Sequence, residues 1–117
     1  MLNLKRAYEP PAKGDGFRVL VEQLWPRGVR KADAALDAWL KDVAPSPRLR
    51  QWFGHDPAKW EDFRKRYWAE LKGHAGDVEL LRRKAKGGKV TLVYGSRDQQ
   101  HNAAVVLKGV LEKHGKR

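Results

Sequence analysis

The sequence predicts a single small α/β domain over residues 1–117, a mixed, mostly parallel sheet with flanking helices. Three observations carry that expectation. Apolar residues alternate with period two in "FRVLVEQLW" (17–25) and again in "VTLVY" (90–94). Residues 46–89 between them read as helices, and a crossover of that length is how two strands become parallel neighbours. The stretch "VTLVYGSRDQQHNAAVVL" (90–107) then changes its period midway, reading strand, tight loop, helix.

Each element follows from its own residues. "LKRAY" is a short first strand, and "EPPAKGDG" is a loop because Pro10, Pro11, Gly14 and Gly16 deny it regular structure. "FRVLVEQLW" alternates Phe17, Val19 and Val21 against Arg18, Leu20 and Glu22, and is expected to run as a strand to Trp25, just before Pro26. "RKADAALDAWLKDVAP" reads as a short helix followed by a third strand. In "SPRLRQWF", Ser46 is a cap, Pro47 the first helical residue, and Leu49, Trp52 and Phe53 one side of a short helix. "HDPAKWEDFRKRYWAELKGH" repeats the device with Asp56 and Pro57, and Trp60, Phe63, Tyr67 and Leu71 form its apolar stripe, with Trp68 at the edge. "DVELLRRKAKGG" is a further helix with Asp77 at its start and a stop at Gly87.

Composition narrows the function. With 41% apolar and 33% charged residues the chain has the balance of a soluble globular protein. It has no cysteine, so disulfides, thiolate nucleophiles and cysteine-ligated zinc are all excluded. "MLNLKRAYEPP" places charges where a secretory signal or membrane span needs an apolar block, and a cytoplasmic protein without a membrane partner is expected. His55, His74, His101 and His114 show no i, i+4 pairing and no carboxylate at metal-motif spacing, so neither a metal site nor a cofactor is expected.

The charge balance, 25 Lys and Arg against 14 Asp and Glu, gives a net charge of +11. Its densest run, "LRRKAKGGK" (81–89), holds Arg82, Arg83, Lys84, Lys86 and Lys89 with no acid among them. Either these bind the phosphates of a nucleic acid or they form a solvated basic face.

Two segments share a grammar in which an apolar strand enters a polar turn bearing an arginine. "VEQLWPRGVRK" offers Trp25, Arg27 and Gly28; "LVYGSRDQQHN" offers Ser96, Arg97, His101 and Asn102. If the strands are parallel neighbours, both turns lie at the carboxyl edge of the sheet, where open α/β proteins bind ligands. Arg27 and Arg97 would then clamp an oxyanion, Ser96 and Asn102 would add hydrogen bonds, Trp25 would wall the pocket, and His101 would be the candidate catalytic base. Asp98 is expected to cap the last helix. The bland alternative is an ion pair and a turn.

The phrases "GFRVLVEQLWPRG", "ALDAWLKDVAPS", "LRQWFGHDPAKWEDFRKRYWAEL" and "VTLVYGSRDQQHNAAVVL" resemble the YeaO-like branch of the domain of unknown function 488 family over nearly the whole chain. The resemblance implies a compact bacterial α/β protein in which "AWLKDVA" is extended. Broader relatives carry cysteines at the positions of Tyr94 and Asn102, while Asp98 and His101 match the acidic and histidine positions of that loop. The branch usually has Asp and Arg where Glu22 and Gln23 stand, and often a histidine at the position of Ala103. Two functional readings result: a domain binding a small anion or nucleotide-like ligand in a cleft, with or without catalysis, and a basic nucleic-acid-binding accessory protein.

Overall fold

The computed structural model describes residues 1–114. Its strands are β1 (Leu2–Arg6), β2 (Phe17–Leu20), β3 (Ala38–Trp39) and β4 (Val90–Tyr94). Its helices are α1 (Lys31–Ala34), α2 (Pro47–Phe53), α3 (Trp60–Leu71), α4 (Ala75–Gly87) and α5 (Ala103–His114). The α/β class is as expected, and the sheet is parallel throughout, in the order β1-β4-β2-β3. The last strand is thus central, with Val90 opposite both Leu2 and Phe17.

Every residue of β4 is buried, as expected of a parallel strand covered on both faces. Val90, Leu92 and Tyr94 join Val19 and Val21 in the main core, where Phe63, Tyr67 and Leu71 of α3, Val78 and Leu81 of α4, and Ala104, Leu107 and Leu111 of α5 meet them. Phe53 and Phe63 stack with ring centroids 4.3 Å apart. The Tyr67 hydroxyl, fully enclosed, donates to the Val43 carbonyl at 2.5 Å.

On the other face Leu20 and Val93 pack under Trp25, Val29, Leu36 and Trp39, which come from loop and strand rather than from a long helix. Beside them lies a polar plug. Arg18, only 4% exposed, donates to Asp15 at 2.6 Å and to the carbonyls of Ala34 and Ala35 at the end of α1. Asp15 also accepts from Lys5 and from the Ala12 amide, and its own carbonyl takes the Thr91 hydroxyl at 2.7 Å. Burial alone would push the Asp15 carboxyl up, but the hydrogen bonds from Ala12, Lys5 and Arg18 outweigh it and hold the group below its ordinary value.

Three elements differ from expectation. β2 ends at Leu20 instead of Trp25: Val21 still donates to Val93, and then the chain turns so that the Glu22 carbonyl accepts the Trp39 indole N–H at 2.6 Å. Of "AWLKDVA" only Ala38–Trp39 is strand, because Lys41–Val43 tightens into a 3₁₀ turn. Ser46 does cap α2, accepting from Leu49, while Glu70 of α3 receives both the Ser46 amide and its hydroxyl. The third difference is the cap of α5. Asp98 does not provide it; its carboxylate binds the amides of Gln100 and His101 in the preceding turn. Asn102 stands at the cap instead and accepts from the Val105 amide at 3.0 Å.

That reassignment is testable. Asn102→Ala should lower stability by about 1–2 kcal/mol, the usual cost of a lost cap, in urea titration. Asp98→Ala should lower the melting temperature less. Equal losses would mean that the turn and the helix start are one unit.

Candidate functional site

The loops after β2 and β4 meet, as parallel neighbours must, and between them opens a cavity of about 270 Å³ at the carboxyl edge of the sheet. Trp25 and Pro26 wall it from the first loop, Tyr94 from the end of β4, Gly95 and Ser96 from the second loop, Asn102 and Ala103 from the start of α5, and Arg50, Phe53 and His55 from α2 and the turn after it. This is where an open parallel sheet leaves room for a ligand.

Glu22 dominates the chemistry. Its carboxylate accepts the Gly95 amide at 2.6 Å and so occupies the strand-end N–H that an external anion would otherwise use. Burial pushes its carboxyl up, while the Gly95 amide and the positive charges of Arg50 and His55 offset part of that rise. With the carbonyl held by Trp39 and one carboxylate oxygen by Gly95, the other oxygen remains available to a donor in the cavity. His55 adopts a left-handed conformation (φ 56°) directly after Gly54 (φ 52°), a costly geometry for a non-glycine residue that places its ring in the cavity lining.

The residues singled out from sequence divide into two groups. Trp25, Ser96 and Asn102 line the cavity. Trp25 is oriented by its indole N–H, which donates to the Val29 carbonyl at 2.7 Å, and by an edge-on contact with Trp39. Ser96 is tied to the Asp98 backbone, and the Asn102 amide group is spent on the Asp98 carbonyl and the helix cap. Arg27, Arg97 and His101 lie outside the lining. Arg27 and Arg97 are exposed, and the arginine that does reach the second loop is Arg6, which donates to the Ser96 carbonyl at 2.9 Å. The His101 ring is held by Asp98 at 3.0 Å and stands edge-on to Trp60, 5.1 Å between centroids. The cavity is therefore lined by the Arg50 guanidinium and the His55 imidazole, not by the clamp expected of Arg27 and Arg97.

The basic run of α4 is dispersed by the helix. Arg82 turns toward α5, donating to the Val110 carbonyl and pairing with Glu79, whereas Lys84 lies over the ring of Phe17. Arg83, Lys86 and Lys89 remain exposed. Among the described residues no cluster of His, Cys, Asp and Glu has the arrangement of a metal site, and no helix is long and apolar enough to cross a membrane.

Fold and cavity together define a small parallel α/β domain with a polar, aromatic-walled crevice at the carboxyl edge of its sheet. The chain belongs to the DUF488-N3i family, described as the inactive DUF488-N3 subclade, whose model matches residues 1–117. It is 41% identical over 106 residues to the uncharacterized protein YeaO of Escherichia coli K12, covering 91% of this chain and 92% of that one. It is also 41% identical over 111 residues to the uncharacterized proteins Rv3073c of Mycobacterium tuberculosis H37Rv and Mb3100c of Mycobacterium bovis, covering 94% of this chain and 92% of each. No solved structure gives a significant match.

Proposed function

We propose that the chain binds a small nucleotide-like anion in the carboxyl-edge cavity without turning it over. The observation that carries this reading is the lining itself: a fixed carboxyl group, Glu22, a guanidinium, Arg50, and an imidazole, His55, inside walls made by Trp25, Phe53 and Phe63. A simple oxyanion suits this set poorly, because Glu22 repels it and already holds the Gly95 amide. A ligand with ring N–H donors and a negative group suits it well: the donors meet Glu22, the charge meets Arg50 and His55, and the flat ring packs on the aromatic walls. A volume of about 270 Å³ matches a ligand no larger than a nucleoside or its monophosphate. Binding without turnover agrees with the family's description as inactive and with the position of His101 outside the lining.

Thermal-shift measurements with nucleobases, nucleosides, nucleoside monophosphates and inorganic phosphate test the proposal. A ligand that binds only the folded state at a hundred times its Kd adds about 2.7 kcal/mol of stability, an easily resolved shift. Arg50→Ala should abolish the shift given by the monophosphate. Glu22→Gln keeps an acceptor for Gly95 and removes a buried charge, so the variant should be at least as stable as wild type at pH 7 while losing response to ring N–H donors. Because a raised carboxyl pKa favours folding below the ordinary value of 4.5 and loses that contribution as pH rises through the folded value, the advantage of the variant should shrink toward acid pH. No shift with any compound, or an Arg50→Ala response equal to wild type, would remove the cavity as a binding site.

A further inference from the structure

We propose that the face formed by α3 and α5 around Trp68 is a stacking platform for single-stranded nucleic acid. Trp68 is 36% exposed, more than any other tryptophan among the described residues. Three shallow grooves, of about 370, 390 and 470 Å³, meet at it. They are lined by Arg64, Lys65, Lys72 and Lys113, and the Lys113 ammonium lies 5.1 Å from the centroid of the Trp68 ring.

The local acids are already used. Glu61 pairs with Arg64 at 3.2 Å and Glu79 with Arg82 at 3.7 Å. Lys65, Lys72 and Lys113 have no carboxylate within ion-pair distance among the described residues. Lys65 and Trp68 lie on α3 and Lys72 is its C-cap, still in helical backbone conformation, so a cation stands about 5 Å of helix axis to either side of the ring. A base stacked on Trp68 would have its flanking phosphates over these two lysines, while Lys113 is free to move from the ring to the chain. Duplex is disfavoured because its bases are not open to a ring, and an acidic peptide would satisfy the lysines but leave the exposed indole without a stacking partner. The excess of 25 basic over 14 acidic residues supplies the long-range attraction. Of the run 82–89 only Arg82 borders one of these grooves, and it is committed to the Val110 carbonyl and to Glu79.

The test is anisotropy of a short labelled oligothymidylate or oligouridylate titrated with the full chain at low and moderate salt. With three phosphates neutralised, the logarithm of the binding constant should fall with the logarithm of salt with a slope of about −2. Trp68→Ala should weaken binding about tenfold or more and Trp68→Phe should restore most of it, since a ring and not a volume is required. Lys65→Glu with Lys72→Glu should weaken binding and flatten the slope, whereas Arg83→Ala with Lys86→Ala should have little effect. All variants should melt as wild type does. The proposal is overturned if wild type binds no oligonucleotide at low salt, if Trp68→Ala binds as wild type, if the α4 variant alone loses binding, or if polyglutamate binds this face with the same dependence on Trp68.

Discussion

Gly16→Ala is expected to destabilise the protein by about 3 kcal/mol or more, and in the extreme to prevent folding. Gly16 has φ 65° and ψ −135°, a combination outside the basins open to L-residues. Space is denied as well: a Cβ there would be driven into the Lys89 carbonyl oxygen and within 2.8 Å of the Lys89 Cβ. That carbonyl is the acceptor for the Phe17 amide at 2.9 Å, the bond that sets β2 against the beginning of β4. The substitution therefore strains the turn and disturbs the register of the central strand pair together. Urea unfolding monitored by tryptophan fluorescence measures the effect, and a loss below 1 kcal/mol would show that the turn can relax away from Lys89.

Arg18→Leu is the second large effect, expected to cost about 3–5 kcal/mol because one partner of a buried ion pair is removed and the other is left in place. The Ala34 carbonyl loses both guanidinium donors, and Asp15 keeps only Lys5 and the Ala12 amide. Acid titration gives an independent reading. A carboxyl whose folded pKa is depressed contributes fully above its unfolded value, here 3.8, and that contribution fades as pH falls through the lower folded value. Wild type should accordingly lose stability as the pH drops below about 4, and the Arg18 variant should show a shallower loss in that window. Identical acid profiles would mean that Arg18 does little to hold Asp15 charged.

What could be read from the sequence follows from which forces are local. The strand character of Val90–Tyr94 and the caps at Ser46 and Asp56 are decided by neighbours within a few residues, and they are found where expected. The choice between Asp98 and Asn102 as cap is not local: both are good acceptors four residues apart, and the decision lies with the burial of Ala104 and Leu107 against the sheet. Glu22 was hidden by the alternation of residues 17–25, which continues past the point where the chain leaves the sheet. Arg50 looks like any polar residue on an amphipathic helix until the crossover brings α2 over the cavity. The left-handed His55 carried one faint signal, its place between Gly54 and the cap Asp56. Pro26 and Gly95 mark the two turns locally and so point to Trp25 and Ser96 as loop residues, although β2 stops five residues before Trp25, at Leu20.

The central position of β4 has a consequence for synthesis. During translation β1 emerges first, but the strand it pairs with among the described residues is encoded about ninety residues later, and β2 until then has the two residues of β3 beside it. A ribosome-bound chain ending before Val90 therefore exposes two apolar edges separated by the width of an absent strand, and loop closure across the chain must precede any lasting gain from the sheet. The sheet is thus completed late in the chain, with the arrival of one five-residue segment joining β1 to the rest.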